Sequence, residues 1–394
     1  MRGAGNITLI AGGLPVLVAW IAGLYGLPEA HRPVTDVLAE VLAVFLLVLG
    51  WRFRRGRLVV AALAVALANF LARGLLADAP SGAGLATLTI LFPLTLTVLA
   101  LLPERPVDRP LILILAAGVI GLNLVVAAVA RADSPAGGIG ELLTSPDLGR
   151  LVFLIAGAFI ALAFAARRNT FEGSLLWVAA AAALALLMWG GPHSATLALG
   201  AAQLVLLIGL VEDSYRLAYH DELTSLPGRR ALEEALRTLD GEYVIAMVDV
   251  DRFKRFNDRY GHAAGDQALR MVAAELQKVG GGGRAYRYGG EEFAILFPGA
   301  KPADASGPLE EVRAAIADRR FALRAADRPR KKPDPPRKSS RPPRLISVSV
   351  SIGFAAPSAR TGDSGAVLRA ADRALYRAKN KGRNRVVRYG VRSA

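Results

Sequence analysis

The sequence contains no cysteine among its 394 residues, which excludes disulfides, thiolate nucleophiles and cysteine-ligated zinc. It has no lysine before Lys254, and the part up to Arg216 carries only 14 basic and 12 acidic residues. The remainder carries 34 bases and 21 acids, so nearly all of the net positive charge lies there. Net charge alone does not distinguish nucleic acid, anionic lipid or nucleotide phosphates as the partner.

Hydrophobic residues make up 53% of the chain, which is high for a soluble protein. Apolar runs close to the bilayer-crossing length of about 20 residues recur in the first half. We predict eight membrane spans, at residues 7–27, 34–51, 58–76, 85–102, 111–130, 151–166, 175–189 and 195–211. The first has little charge before it and no clear cleavage site, which favours an anchor over a signal peptide.

Arginines predict the orientation of these spans, because basic residues accumulate in cytoplasmic links. They cluster in alternate links, at residues 52–57, 105–109 and 167–168. Both termini are therefore predicted to be cytoplasmic, in a multi-pass protein of the inner (cytoplasmic) membrane. We predict a membrane domain at 1–211, a helical linker at 212–220 without glycine or proline, and a soluble domain at 221–394. The linker is either a signalling helix or a plain tether.

A few polar side chains lie within the apolar runs. Asp36 and Glu40 are four residues apart on one face of the second span, where intramembrane acids are functional candidates. The alternative is an interfacial helix end or an interhelical hydrogen bond. Asn69, Asn123 and Gln203 are predicted to make polar contacts between helices.

The second half alternates helix and strand patterns. Residues 243–250 form an apolar run that predicts a buried strand, and Gly289-Gly290 predicts a tight hairpin. Helices are predicted at 229–239, 265–279, 308–320 and 367–381, and further strands at 284–288, 292–297 and 346–354. This order predicts an α/β sandwich with a mixed, largely antiparallel sheet.

Acidic and basic side chains cluster at the ends of these elements. Asp249 and Asp251 alternate at the end of the first strand, and Glu291 and Glu292 are adjacent at the hairpin tip. Two acids on an exposed turn repel each other unless a cation neutralises them, and Mg²⁺ prefers such oxygen ligands. Lys379, followed by a glycine turn, suits a phosphate. The pattern predicts metal-assisted phosphoryl chemistry.

These residues fall into motifs that resemble those of the GGDEF-domain diguanylate cyclases, over about Asp221 to Val387. The matching segments occur in the family's order, at 221–227, 249–254, 257–258, 261–262, 265–266, 287–293, 351–353 and 371–384. The resemblance implies a fold similar to nucleotidyl cyclases and the polymerase palm. It also implies the condensation of two GTP into cyclic di-GMP with release of two pyrophosphates.

The resemblance further implies roles for individual residues. Two Mg²⁺ per active site, with Mn²⁺ as the alternative, are expected to be bound by Asp249, the carbonyl of Val250, Glu291 and Glu292. Glu291 is expected to be the base or a bridging ligand and Glu292 a metal ligand, with partly exchangeable roles. The hairpin motif is Gly289, Gly290 and Phe293. The expected substrate-binding residues are Phe253, Lys254, Asn257, His262, Asp266, Lys379 and Arg383.

Within this set, Lys254, Lys379 and Arg383 are expected to hold the triphosphate, with Lys254 also contributing to catalysis. Asn257 and Asp266 are expected to read guanine, whereas His262 either touches the ligand or steadies its loop. The implied partners are GTP, a second copy of the chain, the lipid bilayer and downstream cyclic di-GMP receptors, but no nucleic acid. The membrane domain is expected to regulate the reaction. The alternative is an inactive nucleotide or cyclic di-GMP receptor.

The chain departs from the family pattern at three places. Gly228 replaces an asparagine, with an effect expected to be local. Gly280 and Gly283 occupy the positions of an Arg-x-x-Asp product-binding site, so no product inhibition is expected through it. An insert at 324–344 carries nine bases, two acids and six prolines, which predicts a disordered loop. This loop is either solvated or lies on anionic lipid headgroups.

Overall fold

The computed structural model describes residues 4–25, 31–76, 90–131, 146–167, 169–187, 192–322, 345–358 and 363–390. The chain forms two compact units, Met1–Ser214 and Tyr215–Ala394. The basic insert at 324–344 lies outside the described residues, as do the start of the predicted fourth span and the end of the seventh.

The first unit is helical, and each predicted span overlaps one helix. The helices are α1 (Ala4–Tyr25), α2 (Arg32–Arg52), α3 (Gly56–Leu76), α4 (Phe92–Leu101), α5 (Pro110–Arg131), α6 (Pro146–Arg167), α7 (Thr170–Leu187) and α8 (Pro192–Tyr219). Among the described residues, three segments are long and apolar enough to cross a membrane: Arg32–Arg52, Leu148–Arg167 and Ala195–Tyr219. The count of eight spans, and their orientation, stay predictions.

The core of this unit joins side chains from most of its helices. Leu46, Val65, Leu96, Ile160 and Leu199 are all fully buried in one cluster. Aliphatic side chains on the outer face of α2 are exposed, for example Val37 and Val44. Exposed apolar faces around a packed interior are what a bilayer-embedded bundle requires, because lipid, not water, covers the outside.

The arginines of the predicted cytoplasmic links make specific contacts. Arg57 is 2% exposed and donates to the fully buried Glu172 at 2.7 Å. Arg167 donates to the same carboxylate at 3.1 Å and to the carbonyls of Ala100, Leu101 and Leu102 at the end of α4. Part of this basic cluster therefore holds helix ends together.

The polar residues within the predicted spans divide into paired and unpaired groups. Arg73 Nη1 lies 3.1 Å from Glu40 Oε1 and 3.8 Å from Asp36 Oδ2, an ion pair between α2 and α3. Asn123 donates to the carbonyl of Val119 within its own helix, so the predicted interhelical contact is wrong there. In the described part of the chain, Gln203 is buried with neither side-chain polar atom hydrogen-bonded, so that prediction is wrong for it too.

Helix α8 runs without interruption from Pro192 to Tyr219. The predicted helical character of residues 212–219 is thereby confirmed. Tyr215 and Tyr219 stack one turn apart, with ring centroids 4.3 Å from each other.

The second unit alternates helices and strands, as predicted. Its elements are α9 (Arg229–Arg237), β1 (Tyr243–Val250), α10 (Phe253–Tyr260), α11 (His262–Leu276), β2 (Arg284–Gly289), β3 (Glu292–Pro298), α12 (Pro302–Asp318), β4 (Phe321–Ala322), β5 (Leu345–Ile346), β6 (Val350–Ala355), α13 (Ser364–Asn380) and β7 (Val386–Arg388).

Five strands form the central sheet in the order β2-β3-β1-β6-β7. The pairs β2–β3, β3–β1 and β1–β6 are antiparallel, and β6–β7 is parallel, which confirms the predicted mixed sheet. Every residue of β1 is buried. Val244 and Val248 face one core, with α11 and α12, whereas Ile245 and Met247 face the other, with α9 and α13. Successive strand residues thus fill two layers.

Several boundaries differ from those predicted, and one helix was not predicted at all. Residues 253–260 form helix α10, which is bounded by Arg252 and Gly261 with φ of 55° and 82°. Helix α12 begins at Pro302, because proline suits a first helical turn. The predicted strand at 346–354 is divided into β5 and β6, with residues 347–349 between them in no strand.

Gly353 in β6 allows α13 to lie directly on the sheet. A Cβ atom there would stand 1.9 Å from the backbone nitrogen of Leu375 and 2.4 Å from the carbonyl oxygen of Ala371. Gly353→Ala is expected to lower the free energy of unfolding by about 3 kcal/mol or more, because helix backbone must move. Urea denaturation of the second unit's transition in the full chain measures this.

Gly307 supplies a matched control for this prediction. It lies inside α12, and a Cβ atom added there would have nothing within 4 Å, while alanine is favoured over glycine in a helix by about 1 kcal/mol. Gly307→Ala is expected to be neutral or stabilising. Equal denaturation midpoints for the two variants would contradict the proposed close approach.

Candidate active site

The site is built around the carboxylate of Asp249, at the end of the fully buried strand β1. Asp249 is 4% exposed, and its Oδ2 lies 2.8 Å from Nζ of Lys379. Lys379 is in the last turn of α13, the helix that Gly353 brings onto the sheet. A buried carboxylate needs such a partner, because its desolvation is otherwise very costly.

The β2–β3 hairpin brings the two glutamates to this carboxylate. Glu292 is directly opposite Asp249 in the β1–β3 register, and the backbone amide of Val250 donates to the carbonyl of Glu291 at 3.3 Å. Gly290 has φ of 44°, in the left-handed region that the turn requires. Gly289 and Gly290 of the turn are exposed, as predicted, whereas both glutamates are half-buried.

Arg287 holds the hairpin tip in place. Its Nη2 donates to the carbonyl of Gly290 at 2.7 Å, and its Nη1 donates to Asp221 Oδ1 at 2.6 Å. Asp221 also accepts from the amide and hydroxyl of Thr224. Burial raises the pKa of Asp221, but the bonds from Thr224 and Arg287 outweigh it and leave that pKa below its usual value. Asp221 and Arg287 are therefore structural supports of the site.

The three carboxyl groups of the cluster have raised pKa values. Burial is the main cause for Asp249, whose pKa Lys379 and Arg383 partly lower. Burial and the charge of Asp249 raise the pKa of Glu291 and of Glu292, again opposed by Lys379. The site thus concentrates more negative charge than its own cations balance.

Asp251 has a different role from Asp249, although only one residue separates the two in the sequence. It accepts hydrogen bonds from the hydroxyls of Ser349 and Ser351, both at 2.6 Å, and from the backbone amide of Asn384 at 3.0 Å. These donors are 98 to 133 residues away from Asp251 in sequence. Motif spacing in the sequence could not reveal these donors. The alternation of serine and valine over residues 347–351 does place the serines on one side of that segment. Asp251 joins β1, β6 and the turn after α13.

The predicted nucleotide-binding residues of the first half of the domain lie on α10 and α11. Phe253 is buried, and Lys254, His262 and Asp266 are exposed. Asn257 packs so closely on Gly265 that a Cβ there would stand 1.9 Å from Asn257 Oδ1. This oxygen is buried without a hydrogen-bond partner in the described structure.

Lys379 lies in the last turn of α13, and Arg383 lies in the turn that follows this helix. Arg383 has φ of 64° and follows Gly382 at 107°, so the chain turns sharply after the helix. Because the charges of both residues act on Asp249, the structure brings Asp249, Glu291, Glu292, Lys379 and Arg383 together. It shows Lys379 bonded to a carboxylate, where a phosphate was expected.

The donor set fits a hard divalent cation. Carboxylate oxygens are the ligands that Mg²⁺ prefers, and after burial the charge of Asp249 is the next cause that raises the pKa of both glutamates, so acidic groups of this site repel one another. The described residues contain no group of three or more acidic or histidine side chains arranged around one point. Side chains of the cluster would therefore have to rotate, and Lys379 supplies the positive charge at Asp249.

The surroundings of Gly283, one of the two expected product-binding positions, favour glycine there. Residues 280–283 form a turn in which the amide of Gly283 donates to the carbonyl of Gly280 at 3.1 Å. A Cβ atom at Gly283 would stand 2.7 Å from the ring of Phe297. An aspartate could not occupy this position without moving that core side chain.

The raised pKa of Glu292 predicts a pH-dependent stability. A carboxyl whose pKa is higher in the folded than in the unfolded protein destabilises the fold once pH rises above its ordinary value of 4.5. In metal-free full-length protein, Glu292→Gln is expected to raise the melting temperature near neutral pH. The gain should shrink as the pH approaches 4.5, where the penalty disappears.

The exposed Glu311 provides the control. Glu311→Gln should leave the melting temperature unchanged at each pH, in the same chelator-containing buffer. A gain from Glu292→Gln that grows towards acidic pH would contradict the assignment of unfavourable charge to this site.

Residues 218–385 match the family described as "Diguanylate cyclase, GGDEF domain". Diguanylate cyclase DgcP of Pseudomonas aeruginosa is 38% identical over 184 residues, covering 45% of this chain and 25% of the relative. Diguanylate cyclase VdcA of Vibrio cholerae is also 38% identical, covering 43% of this chain and 47% of the relative. The chain thus spans less than half of these relatives.

The solved coiled-coil and GGDEF domain of DgcB from Caulobacter crescentus, in complex with c-di-GMP, is 32% identical. It covers 46% of this chain and 91% of that chain, with a TM-score of 0.40. Residues 218–385 are thus a GGDEF domain, similar to the domains of diguanylate cyclases.

Proposed function

We propose that the protein is an active membrane-bound diguanylate cyclase, which condenses two GTP into cyclic di-GMP and releases two pyrophosphates. The observation that carries the proposal is the position of Asp249, which is paired with Lys379 and lies directly opposite Glu292 in the sheet. The backbone of Glu291 is bonded to Val250, the residue after Asp249, so three acidic residues lie at one end of the sheet beside a lysine.

Asp249, the carbonyl of Val250 and the hairpin acids Glu291 and Glu292 would hold two Mg²⁺. When bound, these ions would neutralise charge on the reacting phosphates and lower the pKa of the attacking hydroxyl. Because the acids compete with protons for the same oxygens, cation affinity should fall as pH is lowered.

Glu291 is the residue best suited to accept the proton of the attacking 3′-hydroxyl. Its pKa is raised by burial and by Asp249, which moves it towards the operating pH of a general base. Its backbone is fixed by the bond from Val250. Glu292, opposite Asp249 in the register, is better placed to share a ligand with that carboxylate.

Lys379 and Arg383 would bind the triphosphate, together with Lys254 from α10. Each 3′-oxygen attacks the α-phosphorus of the other GTP, and the bond to pyrophosphate breaks. Pyrophosphate leaves with a large negative charge, so cations near the departing oxygens stabilise the transition state. Arg287 takes no part in this step, because its guanidinium is already committed to Gly290 and Asp221.

Guanine would be read by Asn257 and Asp266. The buried Oδ1 of Asn257 has no protein partner in the described structure, as expected of an acceptor whose donor arrives with a ligand. The exposed carboxylate of Asp266 can accept from both N1–H and the 2-amino group of guanine. Adenine presents no such pair, so this contact favours GTP.

The reaction needs two copies of the chain. Cyclic di-GMP contains two nucleotides, and the described part of one chain holds a single cluster of this kind. Two domains, each presenting one GTP, would supply both 3′-hydroxyls and both triphosphates. The membrane domain is proposed to regulate this pairing, with the continuous helix α8 as the connection.

The test uses full-length protein in detergent or nanodiscs, incubated with GTP and Mg²⁺. Cyclic di-GMP and pyrophosphate are expected in a ratio of one to two, measured by chromatography and a coupled phosphate assay. Asp249→Asn and Glu292→Gln are expected to lower the rate at least about a hundredfold, because preorganised charge at the phosphates is lost. Specific activity should rise with protein concentration until the dimer forms.

Glu311→Gln, on the exposed face of α12, is the matched control and should retain full activity. A dimeric parent protein that binds GTP without forming product would identify a receptor instead of an enzyme. Unchanged rates in Asp249→Asn would also overturn the proposal.

The proposed contact between Asp266 and guanine predicts a preference for GTP over ATP. Asp266→Asn keeps the size of the side chain but replaces one acceptor by a donor, which faces the donors of guanine. We expect kcat/KM for GTP to fall about tenfold to a hundredfold, as for an unsatisfied hydrogen bond of 1–3 kcal/mol, with a smaller change for ATP. Asp258→Asn, a neighbouring exposed carboxylate, should change neither value. Equal losses for both nucleotides would exclude guanine reading by Asp266.

A further inference from the structure

A cavity of about 400 Å³ lies inside the membrane unit, between helices α2, α3 and α8. Its apolar wall consists of Ala39, Ala43, Ala66 and Phe70, and its polar wall of Glu40, Asn69, Arg73 and Gln203. Cavities of this size, apolar with a few convergent polar groups, are typical of small-molecule sites.

Two buried carboxamides face this cavity without satisfying their hydrogen-bonding groups. Gln203 is 0% exposed, and both its Oε1 and Nε2 have no partner in the described structure. Asn69 is 3% exposed, and its Oδ1 also has no partner there. Each unsatisfied buried group lowers the stability of the fold by about 1–3 kcal/mol. The fold tolerates this loss at Asn69 and at Gln203, which line the same cavity.

Oxygen acceptors converge on the polar wall of the cavity. Asn69 Oδ1 and Gln203 Oε1 have no partner in the described structure, and Glu40 adds a carboxylate whose Oε1 lies 3.1 Å from Nη1 of Arg73. An ammonium supplies several N–H donors and a charge opposite to that of the carboxylate. It is therefore a complement for two unused carboxamide oxygens beside Glu40.

The cavity is reached from the surface of the unit. Phe70 is 72% exposed, and the side chain of Glu40 is 67% exposed. Glu40 is eight residues after the start of α2, and Arg73 is three residues before the end of α3, so at 1.5 Å per residue the site lies about 5–12 Å from these helix ends. In the predicted orientation those ends are on the outer side of the membrane.

We propose that this cavity is a binding site for a small organic amine with an apolar portion. The ammonium lies among Glu40 and the carboxamide oxygens of Asn69 and Gln203. A hydroxyl or other oxygen of the ligand accepts from Gln203 Nε2, and its apolar part packs on Phe70 and the three alanines. The site does not depend on the cyclase reaction, because it lies in the other unit of the chain.

Three probes of nearly equal shape test the charge requirement. Tyramine is a cation, tyrosol is neutral, and 4-hydroxyphenylacetate is an anion. Binding to full-length protein in phosphatidylcholine nanodiscs is measured without GTP, by thermal shift and by isothermal titration. Tyramine is expected to bind saturably, tyrosol about tenfold more weakly, and 4-hydroxyphenylacetate not at all, as for the loss of one charge-assisted bond.

Gln203→Leu keeps the side chain's bulk and removes its polar atoms. Tyramine affinity is expected to fall about tenfold or more, while the ligand-free protein becomes more stable, because a buried unsatisfied group is lost. A Gln203 that merely supported the fold would show the opposite change in stability. Glu40→Gln, at the mouth, gives an independent loss of affinity without touching the packed core.

Asn123→Leu is the matched control. Asn123 is also buried in the membrane unit, but it is hydrogen-bonded to Val119 and lies outside the cavity wall. This variant should bind tyramine as the parent does. Equal binding of the three probes, no binding of any of them, or full affinity in Gln203→Leu would overturn the proposal.

An ammonium can also come from a lipid headgroup. Nanodiscs that contain phosphatidylethanolamine test this source in the same assay. Undiminished tyramine binding supports a soluble amine as the occupant. Competition by the lipid supports the same recognition chemistry and assigns the headgroup as its source.

Discussion

The ion pair between Asp249 and Lys379 is the interaction on which the second unit's site depends. A carboxylate at the end of a fully buried strand is stable only beside a positive charge, and Lys379 supplies it at 2.8 Å. Lys379 can reach Asp249 because α13 lies against β6, and α13 can lie there because Gly353 has no side chain. The absence of a side chain at Gly353 thus determines the position of the Lys379 ammonium, 26 residues later in the chain.

Asp251 completes the same arrangement from the other direction. By accepting from Ser349, Ser351 and the amide of Asn384, it fixes the turn that carries Arg383. The two aspartates therefore have complementary functions. Asp251 accepts hydrogen bonds from three protein donors and organises the turn. Asp249 is paired with Lys379, whose charge also acts on Glu291 and Glu292.

The sequence predicted the elements with the strongest local patterns. Strand β1 was predicted with its observed bounds because an unbroken apolar run, ending in acids, allows no other placement. The hairpin followed from Gly289-Gly290, and the residues of the site followed from the resemblance to a family. Helix α10 was missed because eight residues with one buried phenylalanine carry no clear period. The partners of Asp251 and of Lys379 could not be predicted, since they depend on how distant segments meet in the sheet.

The cavity in the membrane unit could not be predicted from the sequence for the same reason. Asn69, Asn123 and Gln203 look alike in an apolar run, and a hydrogen bond to another helix is the ordinary expectation for each. Asn123 instead donates a hydrogen bond to the carbonyl of Val119 in its own helix, whereas Gln203 has no hydrogen-bond partner in the described structure. A buried polar group that the protein satisfies needs no ligand, as Asp251 and Asn123 show. The protein does not fully satisfy Asp249 with its neighbouring acids, or Gln203 with Asn69, and for each site we propose a positively charged partner. In both units, the unsatisfied groups are therefore the strongest indication of where another molecule binds.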